Sequence, residues 1–176
     1  MSDQPFSLDQ LYGAIEQHLL KSLSGLASVE IWPEITGSSI ALPAVILELS
    51  EMEPGVEIGT GETSLVCKFE ARIVVDPIKD HHNQQAVQLA SQCAVALRAQ
   101  TWGLPVEPAE FVRAGQDWTQ PDLDGYTVWL VEWTQQIYLG EQSWPWPNEP
   151  PGILVFGFNA DTGPGNEGKY KAPEDL

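Results

Sequence analysis

The chain has 176 residues, 43% of them hydrophobic and 19% charged, a composition that predicts a folded core and excludes wholesale disorder. Eight Lys and Arg against 25 Asp and Glu give a net charge of −17, which argues against nucleic acid or an anionic membrane as a partner, because phosphate recognition needs clustered cations. No apolar run approaches the ~20 residues of a membrane span, and the N-terminus lacks the pattern of a secretory signal. We therefore expect an acidic protein made in the cytoplasm.

The first quarter of the chain is predicted to form a helix and two strands. Residues 7–23 carry Leu and Ile at helical spacing, and Ser7 and Gln10 stand where a capping box belongs. Residues 28–32 and 43–50 favour strands, the second with Leu and Val alternating with polar side chains.

An acidic, glycine-rich segment follows at 51–62 and is predicted to be a hairpin loop. Its glycine spacing matches neither a P-loop nor a dinucleotide fingerprint. Residues 63–76 then alternate apolar and charged side chains, which predicts a long strand with one face in the core and one charged face.

The rest of the domain is predicted to be a helix and two further strands. Residues 82–100 carry a stripe of mostly small apolar side chains, and Asp80 is the expected N-cap. Strands are expected at 109–118 and 126–139. The order α-β-β-β-α-β-β predicts an α+β fold, a mostly antiparallel sheet with two helices packed on one face. The other face is expected to be exposed or to meet a partner.

Composition shifts near residue 141, where 36 positions hold six Pro and five Gly. We expect residues 1–140 to form the α+β domain and 141–176 an extended arm and tail. Trp144 and Trp146 lie in a WPWP segment of this arm, and large aromatics between prolines favour docking onto a surface. Docking on the same chain and docking on a neighbour both remain open.

The residue pattern offers no catalytic, cofactor or metal site. Cys67 and Cys93 are expected to be buried, reduced thiols, with a disulfide as the alternative. Adjacent His81 and His82 point about 100° apart on a helix and rarely share a metal. The strand glutamates are expected to meet solvent or cross-strand cations such as Lys68.

Several segments resemble a known family. They are LPAVILELSEMEPG (42–55), GTGE (59–62), FEARIVVD (69–76), QTWGLPVEPAEFV (100–112) and LDGYTVWLVEWTQQIYLGE (123–141), which WPW follows closely. Together they resemble the tail-terminator, or tail-completion, proteins of long-tailed bacteriophages, in particular those of Mu-like contractile tails and tailocins. The predicted order of elements agrees with the fold of that family, a sheet flanked by two helices.

The resemblance implies a structural virion protein without enzymatic activity or cofactor. Such proteins form a hexameric ring of identical subunits that caps the tail tube, ends its polymerisation and offers a docking surface to the head-to-tail connector. In contractile tails the ring also contacts the sheath protein. DNA only passes through the lumen, no membrane is involved, and a negative lumen would leave the DNA free to slide.

Ring contacts between neighbours need two different complementary patches on each subunit. The candidates are the acidic segment with Glu51, Glu53, Glu57 and Glu62, the arm with Trp144 and Trp146, and the charged strand face with Lys68, Glu70 and Arg72 as receiver. Two alternatives remain: another connector or neck ring protein, and a small cytoplasmic binding module that uses the exposed sheet face.

Overall fold

The computed structural model describes residues 6–31, 40–143, 155–158 and 162–175. The chain divides into two units, Met1–Ser143 and Trp144–Leu176. The described residues of the first unit form two α-helices and five strands: α1 (Leu8–Ser22), β1 (Ser28–Ile31), β2 (Ala44–Pro54), β3 (Thr63–Val75), α2 (His82–Ala96), β4 (Glu110–Gln116) and β5 (Thr127–Leu139). A short 3-10 helix, Pro121–Leu123, precedes β5. The predicted order α-β-β-β-α-β-β is confirmed.

The five strands form one sheet in the order β1-β2-β3-β5-β4. The β2–β3, β3–β5 and β5–β4 pairs are antiparallel, and only the short β1 pairs in parallel, with β2. β3 and β5 run alongside each other for 13 residue pairs and form the centre of the sheet. The predicted mostly antiparallel α+β fold is confirmed.

Both helices cover the same face of the sheet, as predicted. Their apolar stripes share one core cluster with β2, β3 and β5: Leu11, Ile15, Leu19, Ala86, Leu89, Ala90, Cys93, Val45, Leu47, Phe69, Ile73, Val131 and Trp133. Small side chains on α2 let this helix lie close to the strands. At the centre, the rings of the cross-strand neighbours Phe69 and Trp133 stack with centroids 5.2 Å apart.

The two helices begin differently. At α1 the predicted capping box is present, since the Ser7 hydroxyl accepts from the Gln10 N–H at 3.4 Å and the Gln10 side chain accepts from the Ser7 N–H at 3.2 Å. The prediction that Asp80 caps α2 is wrong. His81 is the capping residue, its φ of 61° lies in the left-handed region, and its side chain makes no capping hydrogen bond.

The boundary predicted between the second strand and the acidic loop is also wrong. β2 continues to Pro54, so the first four residues of the predicted loop 51–62 are strand. A β-bulge between Leu49 and Glu51 shifts the register against β3. The bulge turns Glu51 and Glu53 onto the same face as Glu48, away from the helices, whereas strict alternation would point them into the core.

The second unit is described in part. Its segments pair where the backbone of Phe156 and Lys171 exchanges two hydrogen bonds of 2.7 and 2.9 Å. The Tyr170 hydroxyl accepts a bond of 2.9 Å from the Gly163 N–H. Across the described residues of the chain, no helix is long and apolar enough to cross a bilayer.

The two cysteines are buried and free, which confirms the prediction of reduced thiols. Burial raises the pKa of the Cys67 thiol to about 11 and that of Cys93 to about 12. We therefore expect neither thiol to react with a disulfide reagent at pH 8 until denaturant is added, because the thiolate is the nucleophile. Rapid labelling of the native protein, followed by absorbance, would contradict this burial.

Candidate interaction site

The sheet face opposite the helices carries a line of carboxylates. Glu48, Glu70 and Glu132 are direct cross-strand partners on β2, β3 and β5, and Arg113 of β4 follows in the same line. Like charges directly opposite each other destabilise a sheet. The three glutamates can therefore share this line only because cations lie between or beside them.

Arg72 is the central cation. Its Nη1 donates to Glu48 Oε2 at 2.6 Å, its Nη2 donates to Glu70, and its Nε donates to Asp117 Oδ2 at 2.9 Å. Arg72 is 3% exposed and Asp117 8% exposed, so this part of the network is shielded from water. The planar, five-donor guanidinium suits a site of three carboxylates in a way that a lysine ammonium does not.

Glu132 is held by two other cations. Lys68 Nζ lies 2.8 Å from Glu132 Oε1, and the Arg113 Nε forms an ion pair with Glu132 Oε2 from β4. Glu132 is 2% exposed, whereas the side chains of Lys68 and Arg113 are 32% and 64% exposed. The buried carboxylate of Glu132 thus links β3, β5 and β4 through two ion pairs, and the two cationic side chains reach the solvent.

The pKa values follow from these contacts. Burial lowers the pKa of the Arg72 guanidinium, but the hydrogen bonds to Glu48 and Asp117 outweigh it and leave the pKa above its usual value. Burial raises the pKa of Asp117, but bonds from the Thr119 hydroxyl and N–H and from Arg72 outweigh it, so this pKa lies below its usual value. Both groups remain charged near neutral pH.

The structure brings together Lys68, Glu70 and Arg72, the three residues predicted to form a charged receiving face. It also corrects one expectation about them, because Arg72 is buried and saturated with carboxylates and does not face solvent. The exposed part of the face is its rim, which includes Lys68, Arg113 and the partly exposed Glu48. A receiving role for this rim stays a prediction.

The acidic residues occupy two places. Glu51 and Glu53 are exposed on the end of β2, and Glu57 and Glu62 lie in the loop 55–62. Hydrogen bonds hold this loop at both ends. The side-chain amide of Gln136 accepts a hydrogen bond of 3.3 Å from the Val56 N–H and donates one of 3.2 Å to the Val56 carbonyl. At the other end of the loop, the Ser143 N–H donates to the Thr60 carbonyl at 2.8 Å.

The other predicted contact residues, Trp144 and Trp146, lie outside the described residues. The strand and loop candidates therefore both lie in the first unit, and a contact role for the arm stays a prediction. Among the described residues, no group of three or more His, Cys, Asp or Glu side chains could hold a metal ion.

Sequence reasoning missed an apolar groove beside β4. Ala94, Val95, Arg98, Ala99, Ala109 and Phe111 line this groove, whose volume is about 480 Å³. Val95 is 74% exposed and Phe111 49% exposed. β4 is an edge strand of the sheet, and all its residues but Gly115 are exposed. The consecutive apolar pair Phe111–Val112 was a signal present in the sequence, because neighbouring residues of a strand point to opposite faces.

Comparison with known proteins gives a fold-level likeness only. No protein-family profile and no curated protein matches the chain. Among solved structures, the chain is similar to the sheath/tube terminator of an extracellular contractile injection system, PVC, in its extended state, with 16% identity and a TM-score of 0.48. The match covers 92% of this chain and 66% of that one. With a TM-score below 0.5, the likeness carries no argument about the fold or the function of this chain.

We expect Arg72→Met to lower the free energy of unfolding by about 3–5 kcal/mol, because it leaves Asp117 and two glutamates without their cation in a shielded site. Arg113→Ala is the matched control. It should cost at most about 1 kcal/mol, since its side chain is 64% exposed and Glu132 keeps Lys68. Urea denaturation measures both, and equal losses would contradict the central role of Arg72.

Asp117 should contribute to acid sensitivity. Because its pKa is lower in the folded than in the unfolded chain, its stabilising effect is complete above the unfolded value of about 3.9 and is lost as the pH falls through the lower folded value. We expect wild type to exceed Asp117→Asn in stability at pH 7, with the difference shrinking below pH ~4. Urea titrations across this range measure it, and a constant difference would contradict the assignment.

Proposed function

We propose that this protein is a tail terminator: a structural protein that caps the tube of a phage-type tail as a ring of identical subunits. The ring ends polymerisation of the tube, contacts the sheath where the tail is contractile, and presents a docking surface to the head-side connector. In this proposal the protein has no catalytic role and functions in the virion or tail particle after its synthesis in the cytoplasm.

One observation carries the proposal. The segments on which the resemblance rests, 42–55, 59–62, 69–76, 100–112 and 123–141, include most of β2, β3 and β5, the start of β4 and the loop 59–62. They therefore lie largely in one contiguous sheet and its hairpin, and residues 100–109 lie in the connection between α2 and β4. The α+β order with both helices on one face also agrees with the fold that the resemblance implies.

Charge supports the same function. A net charge of −17 on each subunit would give an assembled ring a strongly negative surface, including any part that faces a lumen. DNA phosphates are repelled by such a surface, which favours free passage over binding. The same charge makes subunits repel one another, so ring contacts must bring the few cations of the chain against carboxylates of a neighbour.

The test is the length of tails in particles made without this protein. Deletion of its gene from the cluster that encodes the tail should give tubes of variable, excessive length and unattached heads, seen by electron microscopy. Expression of the wild-type chain in trans should restore a single length. Normal, head-joined tails in the deletion would contradict termination and leave the binding-module alternative, with the exposed sheet face as the place to seek a ligand.

A further inference from the structure

The groove beside β4 is an open surface on the described part of the first unit. Among the described strands β4 pairs with β5 alone, and an edge strand with exposed apolar side chains is a template for association. Phe111 and Val112 are 49% and 51% exposed, and Val95 of α2 adds a further apolar side chain at 74%. This is more apolar surface than scattered single residues would give.

One cation in the groove, Arg98, makes it selective. Arg98 lines the groove, is exposed and makes no ion pair with any described residue. Arg113 is the cross-strand partner of Glu132 on the other face of β4 and does not line the groove. The strand's own acidic residue, Glu110, is the cross-strand partner of Thr134 and so shares the face away from the helices. The groove therefore suits an occupant that is both apolar and acidic.

The loop 55–62 of the chain has that chemistry. Val56 and Ile58 are 72% and 52% exposed, Glu57 stands between them, and Glu51 and Glu53 lie at the end of β2 beside it. Its backbone is already held by Gln136 and Ser143, so docking would require little further ordering. The exposure of Val56 and Ile58 also means that the loop does not occupy the groove of its own chain.

We propose that the loop 55–62 of one copy docks in the β4 groove of a second copy, with Val56 and Ile58 against Val95 and Phe111 and with Glu57 facing Arg98. The loop joins β2 to β3, whereas the groove flanks β4, with β5 between β3 and β4. One chain can therefore use both surfaces at once. The contact is heterologous, which is the kind that closes a ring.

A symmetric contact between two β4 grooves is the competing arrangement. It would bring the Arg98 side chains of both copies together, and like charges across an interface oppose association. It would also give a dimer that cannot extend into a ring. The choice of a second copy as occupant rests on the proposed ring function, whereas the complementarity of loop and groove does not.

Cysteine cross-linking tests the contact even where it is weak. Ile58→Cys and Val95→Cys each place one exposed thiol, and the native cysteines are buried. With a short bismaleimide, an equal mixture of the two single variants should give a covalent dimer and nothing larger, and the double variant should give a ladder of oligomers. The control variant is Ile78→Cys, because Ile78 is 90% exposed and lies outside the groove. Mixed with Ile58→Cys in place of Val95→Cys, it should give only the background yield of covalent dimer.

Reversing the charges of Arg98 and Glu57 is a second, independent test of the same contact. Arg98→Glu in the Val95→Cys chain should lower the dimer yield about tenfold, and Glu57→Arg in the Ile58→Cys chain should restore it, because opposite charges then face each other again. Circular dichroism confirms that each variant is folded. A yield no higher than that of the Ile78 control would overturn the proposal, as would dimers of Val95→Cys alone, which indicate paired grooves.

The proposal of tail termination and the proposal of the loop–groove contact can be contradicted independently of each other. Overlong tails in the deletion without specific cross-links would leave termination standing and remove this contact. Specific cross-links together with normal tails would establish head-to-tail association of the chain and remove termination.

Discussion

The architecture depends on placing three glutamates in one line across neighbouring strands. Glu48, Glu70 and Glu132 would repel one another if they were unpaired. Arg72 binds the first two together with Asp117, while Lys68 and Arg113 hold the third. Because these pairs form only when β2, β3, β5 and β4 are in one alignment, the network favours a single register. The network makes its part of this face polar, and a second, smaller apolar cluster of Ile46, Val74, Leu123 and Val128 lies on the same face.

Much of the fold could be predicted because its signals are local. The alternation of β3, the capping box of α1 and the small-residue stripe of α2 each lie within one element. The bulge in β2 was missed, although the consecutive polar pair Ser50–Glu51 breaks the alternation that resumes at Met52. The burial of Arg72 could not be read from the sequence, because its partner Asp117 is 45 residues away and enters the site from the end of β4.

The two faces of the sheet and its β4 edge have different surroundings. The helix-covered face supplies the core, the ionic face fixes the register, and the β4 edge with the acidic loop remains open to other molecules. In a chain with only eight Lys and Arg, one of them, Arg98, lines the groove at this edge. Association of strongly acidic chains must offset their general repulsion, and a cation that faces a carboxylate of a neighbour contributes to that.

The location of the protein in the assembled particle tests the central claim most directly. Tails that carry a tagged copy of the chain can be labelled with gold and imaged by electron microscopy. Termination predicts label at one end of each tail, the end that joins the head, in full-length tails only. Label spread along the tail, at the opposite end, or absent from purified tails would contradict the account.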